Sequence, residues 1–409
     1  MLNSDLARSL FGQSARVIFQ AAFFFVLAKL LPLEEFGFFS LVIAISALML
    51  PFSGWGTQLL LVKESSIDKT GSMERLAASI RLTVLSGLVL SVFASCISTY
   101  VYFDGQFIFV FFLFATEVVL FRVYESYASS YQGLGEFDKI ITIRFYAPLT
   151  KLVSVILIYT YSDFLIYENK HYWVYVYSIV SLLGLIIYSG IFFSLNRVST
   201  NYFMKKYPFN YRDGLLMSSS LLVYGFFASS DQIMLGSIMS KEVVAVYALS
   251  AKVYFMAFLP FQALSSVTIR RFFMYNGDQV RCGVELRRIL KVCIPLSILL
   301  ASLVAISSSL IPLALGEKYE GSKVVLISLM VIFPIKVCSA MLSDYLVGVG
   351  LQKRRLNIEL FCCLINIVMN FILINNYGVL GAVAATMLSE TALLTLFYCT
   401  YYQSNRIPI

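Results

Sequence analysis

The chain has 409 residues, of which 59% are hydrophobic and only 13% are charged, and its mean hydropathy is +0.82. Soluble domains carry about 25% charged residues, so this composition excludes a cytosolic enzyme, and its long apolar runs exclude a disordered chain or a coiled coil. A single histidine, His171, excludes most His-based metal centres and catalytic triads, and we expect it to be solvated in an outer loop.

Apolar stretches of helical length follow one another along the whole chain, separated by short polar breaks. A helix needs about 20 apolar residues to cross a bilayer, so a chain of this length holds roughly a dozen spans. The twelve predicted spans are 12–31, 37–62, 80–102, 107–131, 141–161, 172–195, 214–238, 243–269, 291–315, 323–347, 357–375 and 379–402. The sequence therefore predicts an all-α, polytopic membrane protein with about 12 transmembrane helices and short loops.

The distribution of basic residues predicts the orientation of these spans. Most of the 31 Lys and Arg residues lie at the N-terminus and in every second loop. Because loops rich in Lys and Arg stay in the cytoplasm, both termini are predicted to be cytoplasmic. The net charge of +8 is explained by loops that face anionic lipid, and it indicates no nucleic-acid partner.

An internal repeat predicts how the spans are grouped. The Gly-x-Gly motif at 132–135 recurs at 347–350, and cationic residues follow each copy. The predicted organisation is an N-terminal lobe at 1–195, a cytoplasmic connector at 196–213 and a C-terminal lobe at 214–409. Each lobe has six spans and the same orientation, so we expect a pseudo-two-fold axis along the membrane normal, as in transporters with parallel repeats.

Several stretches resemble the motifs of one family in their order and spacing. They are 31–40, 231–236, 243–253, 315–319 and 366–385. Together they resemble the Wzx-type O-antigen flippases of the multidrug/oligosaccharidyl-lipid/polysaccharide (MOP) exporter superfamily. The resemblance implies that an undecaprenyl-pyrophosphate-linked oligosaccharide moves from the cytoplasmic to the periplasmic leaflet of the bacterial inner membrane. It implies no cofactor, and its candidate partners are membrane lipid and polysaccharide polymerase or assembly proteins.

Charged residues inside the predicted spans point to a transport pathway. Each costs about 2.5–3.5 kcal/mol at the middle of the membrane, so most must face the protein interior. They are Glu117, Arg122, Glu125, Lys151, Asp231, Lys252, Lys336 and Glu390. We therefore predict a hydrated cavity between two lobes that rock to give alternating access.

The cations are predicted to bind the substrate, because Arg and Lys are suited to a pyrophosphate head and to acidic sugars. This predicted cationic set is Arg16, Arg122, Arg144, Lys151, Lys252 and Lys336. Arg144 and Lys151 are two helical turns apart and therefore share one face.

The carboxylates have two predicted roles, cation-coupled antiport or structural ion pairing. They are Glu117, Glu125, Asp231 and Glu390. Two ion pairs are open alternatives to a direct transport role: Asp231 with Lys252, and Arg122 with Glu125 on its own helix. The sequence predicts no metal site.

Three functions are compatible with a chain of this kind. The first is a lipid-linked oligosaccharide flippase, and the second is a drug or small-molecule exporter of the same superfamily. Exporters of drugs tend to have fewer cations in the N-terminal lobe, so Arg122, Arg144 and Lys151 favour the flippase. The third is a membrane polymerase or acyltransferase, for which the sequence offers neither a large outer loop nor an intramembrane histidine.

Overall fold

The computed structural model describes residues 18–102, 106–162, 171–195, 202, 207–275 and 277–404. Throughout these residues the regular secondary structure is helical, and none of them lies in a β-strand. The predicted all-α fold class is confirmed.

The chain divides into two compact units, of which unit 1 extends to Gly225 and unit 2 begins at Phe226. The helices of unit 1 are α1 (Ile18–Leu30), α2 (Leu33–Met49), α3 (Thr57–Ile67), α4 (Ser72–Tyr102), α5 (Phe107–Leu134), α6 (Phe137–Thr160) and α7 (Tyr172–Leu195). Helix α8 (Tyr211–Ile238) contains the boundary between the units. The predicted lobe limits at 195 and 214 stay a prediction.

Unit 2 continues with α9 (Lys241–Met274), α10 (Gln279–Ser307), α11 (Leu310–Leu315) and α12 (Glu320–Gly348). The last helical stretch, Gln352–Ser404, is bent at Gly378, where the backbone has a φ of 59° and a ψ of −135°. This bend separates α13 (352–377) from α14 (379–404). Helix α12 lies at the centre of unit 2, packed against α9, α10 and the last helical stretch.

The helices coincide with the predicted membrane spans. Within the described ranges, nine helices are long and apolar enough to cross a membrane, and the longest of them covers two predicted spans. The first predicted span is described only from Ile18, as a shorter apolar helix. The protein is therefore a multi-pass membrane protein.

The second predicted span, 37–62, is broken, so its prediction as one continuous helix is wrong. Turns at 50–56 separate α2 from α3, and Gly56 takes a left-handed φ of 76°. A Cβ at Gly56 would lie 2.1 Å from the carbonyl oxygen of Gly214, so only glycine permits this approach. Ser53 Oγ donates a hydrogen bond to the carbonyl of Val118 (2.8 Å). Neighbouring helices thus satisfy the non-helical turn at membrane depth.

The repeated Gly-x-Gly motif has the same two structural roles in both units. Gly135 ends α5 and Gly350 follows α12, with left-handed φ values of 78° and 81°. The earlier glycines, Gly133 and Gly348, lie where helices approach closely: a Cβ would come within 2.8 Å of Ser65 and 2.3 Å of Phe272, respectively. Each motif therefore ends a helix and packs it tightly on a neighbour.

The end of the connector before α8 is fastened to unit 1. Tyr207 Oη accepts a hydrogen bond from Arg75 Nε (3.0 Å) and donates one to Glu64 Oε2 (2.8 Å). Phe209 is buried and packs against Leu60 of α3. The segment is thus tied to helices α3 and α4 by polar and apolar contacts.

The expected solvation of His171 is wrong. Its Nδ1 lies 3.0 Å from Oε2 of Glu35, which also accepts a hydrogen bond from Trp173 Nε1 (2.9 Å). The rings of Phe38 and Phe109 lie beside the imidazole. Because Glu35 is buried, its carboxylate needs hydrogen-bond partners, and His171 is one of them.

Candidate functional site

A π-helical turn interrupts α5 between Ala115 and Leu120 and carries Glu117. Such turns are rare and occur often at functional sites, because the extra residue changes which side chains face a neighbouring helix. On either side of this turn, α5 is α-helical.

A cavity of about 220 Å³ opens beside this turn and lies wholly within unit 1. Its lining side chains come from helices α1, α5 and α6 and from the end of α2. The lining includes five residues that the sequence singled out, the cations Arg122, Arg144 and Lys151 and the carboxylates Glu117 and Glu125. Two helices therefore bring three cations and two carboxylates into one space.

Lys151 is paired with a carboxylate in this cavity. Its Nζ donates hydrogen bonds to Glu117 Oε1 (2.8 Å) and Oε2 (3.0 Å), and Tyr177 Oη also donates to Oε1. The ammonium lies 3.9 Å from the ring centroid of Phe121, which stabilises its charge from another side. A residue predicted to bind substrate and one predicted to couple ions thus form one interhelical pair.

Arg122 is held more loosely than Lys151. Its Nε lies 3.5 Å from the carbonyl oxygen of Ser53, in the turn that breaks the second span. The charge of Glu125 on the same helix also acts on this guanidinium, and their pairing stays a prediction. The planar guanidinium group of Arg122 has the geometry to bind a phosphate in a bidentate manner.

Unit 2 contains a second interhelical ion pair. Lys336 Nζ on α12 lies 2.5 Å from Glu390 Oε1 on α14, and Ser339 Oγ donates to Glu390 Oε2 (3.2 Å). Glu390 is only 2% exposed. The pair combines another predicted substrate-binding cation with another predicted coupling carboxylate.

Asp231 lies in a buried cluster of neutral polar groups. Its Oδ2 accepts hydrogen bonds from Tyr247 Oη (2.5 Å) and Thr386 Oγ1 (2.8 Å), and its Oδ1 accepts one from Asn370 Nδ2 (2.5 Å). Asn366 Oδ1 accepts from Asn370 Nδ2 (3.1 Å). Among the residues described, the buried Oδ1 of Asn370 has no hydrogen-bond partner. Helices α8, α9, α13 and α14 thus assemble an oxygen-rich site around one carboxylate.

The contacts described above do not include two residues of the predicted cationic set. Arg16 lies outside the described residues. Lys252 is half-buried on α9, and its pairing with Asp231 stays a prediction. Within the ranges described, no three His, Cys, Asp or Glu side chains come together to hold a metal ion.

The sequence reasoning missed several polar residues that the structure connects to the charged ones. Asn366 and Asn370 stand four residues apart in an apolar run, a spacing that could have identified them as one face of a helix. Tyr177, which donates a hydrogen bond to Glu117, had no sequence signal that distinguished it from the other tyrosines of the chain. Asp344 lies near the end of a predicted span, yet it is only 7% exposed.

Solved structures share this fold across nearly the whole chain. The lipid II flippase MurJ in an inward closed conformation has 14% sequence identity and a TM-score of 0.71, covering 97% of this chain and 87% of that chain. An inward-facing multidrug resistance MATE family transporter of the MOP superfamily has 14% identity and a TM-score of 0.67, covering 96% of both chains.

A third similar structure is a MOP superfamily transporter from Pyrococcus furiosus. It has 14% identity and a TM-score of 0.59, and the alignment covers 98% of this chain and 95% of that chain. At these identities the likeness establishes the fold. No curated protein matches the chain.

The family described as "Polysaccharide biosynthesis protein" matches residues 26–324. This match covers well over half of the chain, and the predicted resemblance to a polysaccharide exporter of the MOP superfamily is confirmed as to family and fold. The chain belongs to the polysaccharide biosynthesis protein family and has the fold of the MOP-superfamily transporters.

Proposed function

We propose that the protein is a flippase for a lipid-linked oligosaccharide. Its substrate in this proposal is an undecaprenyl-pyrophosphate-linked O-antigen repeat unit, which moves from the cytoplasmic to the periplasmic leaflet of a bacterial inner membrane. Both termini lie in the cytoplasm, and alternating access exposes the head group to each side in turn. Polysaccharide polymerase or assembly proteins would receive the product.

One observation carries this proposal: Arg122, Arg144 and Lys151 line a single cavity. With two carboxylates in the same lining, the cavity keeps a surplus of positive charge, which is costly inside a membrane protein, and a diphosphate head is the kind of ligand that balances it. Membership in a polysaccharide biosynthesis family and the fold shared with a lipid II flippase support the same substrate class.

Genetic complementation tests the proposed function. Deletion of the gene is expected to leave lipid-linked repeat units in the cytoplasmic leaflet and to abolish surface polysaccharide, and a plasmid copy is expected to restore both. The matched control is a plasmid that encodes Arg122→Ala at equal protein level. Repeat units that reach the outer leaflet normally in the deletion strain would overturn the proposal.

Export of drugs or other small molecules is the second candidate, because a multidrug MATE transporter shares the fold. The cavity argues against a cationic drug as substrate, since its three cations outnumber its two carboxylates. Drug resistance conferred by overexpression, with normal polysaccharide export after deletion, would decide for this candidate.

In our proposal transport is coupled to a cation, and Asp231 is the coupling residue. Glu117 and Glu390 each hold a lysine, whereas the hydrogen bonds to Asp231 come from neutral groups. The carboxylate and the unsatisfied Oδ1 of Asn370 are oxygen ligands of the kind that a hard monovalent cation or a proton takes.

Thermal unfolding of the purified protein tests this coupling. Sodium chloride or a lower pH is expected to raise the unfolding temperature relative to choline chloride at neutral pH, and Asp231→Asn is expected to remove that effect. Glu359→Gln is the matched control, because Glu359 is another carboxylate of unit 2 and forms an ion pair with Arg355. Transport that ignores imposed proton and sodium gradients would contradict the coupling.

A further inference from the structure

The ammonium of Lys151 already holds two acceptor oxygens. Both carboxylate oxygens of Glu117 lie within 3.0 Å of its Nζ, and the ring of Phe121 covers another side of the charge. A phosphate group that binds Lys151 needs the same hydrogen-bond donors that Glu117 now occupies. Phosphate and Glu117 therefore compete for one cation.

Tyr177 fixes Glu117 in this competing position. Its hydroxyl donates to Oε1, the same oxygen that receives the shorter bond from Lys151. Tyr177 lies on α7 and is almost fully buried, so its hydroxyl is a fixed anchor for the carboxylate. The π-helical turn Ala115–Leu120 presents Glu117 to both neighbouring helices at once.

We propose that Glu117 is a built-in competitor that substrate phosphate displaces from Lys151, and that Tyr177 is the residue that positions it. This inference rests on the proposed function of the cavity. Arg122 receives the phosphate first, because its described hydrogen bond is a single long one to Ser53. Lys151 joins only when the phosphate replaces Glu117.

This exchange keeps binding weak enough for release. A phosphate gains only the difference between its own pairing with Lys151 and the pairing that Glu117 loses, because one ion pair replaces another. A transporter needs such moderate affinity, since a ligand held too tightly by one conformation shifts the population toward it and is not released. Glu117 thus sets the affinity and returns to Lys151 as the product leaves.

Equilibrium binding to the purified full-length protein tests the inference, with farnesyl diphosphate as the probe and farnesol as the uncharged control. Glu117→Gln is expected to lower the Kd for farnesyl diphosphate about tenfold, the size of one close charge pair. It is also expected to slow turnover, because release becomes limiting. Tyr177→Phe keeps every charge but frees Glu117, so we expect a drop in Kd of about threefold.

The matched control is Glu125→Gln. Glu125 lines the same cavity on the same helix and acts on Arg122 through its charge, so its neutralisation removes the same charge while the hydrogen bonds between Lys151 and Glu117 stay in place. We expect its effect on the Kd to be less than about threefold, as for a through-space interaction in a hydrated site. A merely structural role for Glu117 or Tyr177 would raise the Kd, not lower it.

Each outcome decides a different point. An equal decrease in Kd for Glu117→Gln and Glu125→Gln, or an unchanged or higher Kd for Glu117→Gln, overturns the inference. If Glu117→Gln does not fold, the Tyr177→Phe variant decides by the same criterion. A wild-type protein that does not bind farnesyl diphosphate overturns the proposed function as well, whereas wild-type binding that neither variant tightens overturns the inference alone.

Discussion

Among the described residues, an interhelical Lys–Glu pair occurs in each of the two units, but the surroundings of the two pairs differ. In unit 1 the Lys151–Glu117 pair borders a cavity together with Arg122 and Arg144. In unit 2 the partner of Lys336 is almost completely buried, and the nearby polar cluster is centred on a carboxylate, Asp231. In unit 1, therefore, cations line a cavity. In unit 2, neutral hydrogen-bond donors surround the carboxylate of Asp231.

This difference shows that the number of intramembrane charges is a poor guide to their role. The carboxylate of Glu390 is 2% exposed and depends on Lys336, which is itself 21% exposed. The Lys151–Glu117 pair lies at a cavity wall, where it can exchange partners because water and ligand replace what each ion loses. Asp231 has only neutral hydrogen-bonding neighbours in the contacts described above. The proposed function accordingly places anion recognition in unit 1 and cation recognition in unit 2.

The largest expected effect comes from removing the loosely held cation of unit 1. Arg122→Ala is expected to reduce polysaccharide export at least tenfold, because a phosphate without its charged partner loses about 2 kcal/mol or more of binding free energy. Arg122→Lys is expected to retain part of the export activity. Surface polysaccharide at matched protein level is the measurement. Lys139→Ala is the control, since Lys139 forms an exposed ion pair with Glu136. Equal losses in the alanine and lysine variants would contradict a mainly electrostatic role.

An effect of intermediate size is expected for the coupling free energies of the two Lys–Glu pairs. Breaking the buried pair by Lys336→Met is expected to cost about 3–5 kcal/mol of unfolding free energy, and adding Glu390→Gln is expected to recover part of it. The equivalent cycle on Lys151 and Glu117 should give a smaller coupling free energy, because the cavity can hydrate the remaining charge. Reversible denaturation of the four variants of each cycle measures both values. A larger coupling free energy for Lys151 and Glu117 than for Lys336 and Glu390 would contradict this prediction.

The smallest expected effect tests whether the units repeat one another. Gly135→Ala and Gly350→Ala are each expected to cost about 1 kcal/mol, because both positions have a left-handed φ. The thermal unfolding temperature is the measurement. Gly190→Ala is the control: Gly190 is helical with open space around its Cα, so alanine should be neutral or stabilising. Unequal effects at the two motif positions would argue against equivalent roles.

The positions of the helices could be predicted from the sequence, but the contacts between them could not. Span positions follow from apolar composition alone, which is why helices occupy the predicted stretches. The break between α2 and α3 was missed because Pro51 and the glycines after it are also common in continuous membrane helices. What decides the break is the approach of Gly214, a residue far along the chain.

The candidate site shows the same limit. Depth in the membrane identified Glu117, Arg122 and Lys151 as residues that cannot face lipid, and all three line one cavity. Their pairing depends on how α5 and α6 are rotated about their axes, and a π-helical turn changes that rotation without a sequence signature. The Asp231 cluster depended on the meeting of four helices, which no local pattern encodes.

The contacts of Tyr207 have a practical consequence for dissecting the protein. A split version that expresses each half separately cannot treat the connector as a free tether, since Tyr207 and Phe209 complete the packing of α3 and α4. A first fragment that stops before them would expose Leu60 and leave Arg75 without one of its partners. In a design that reassembles the protein from two fragments, the first fragment should therefore include Tyr207 and Phe209.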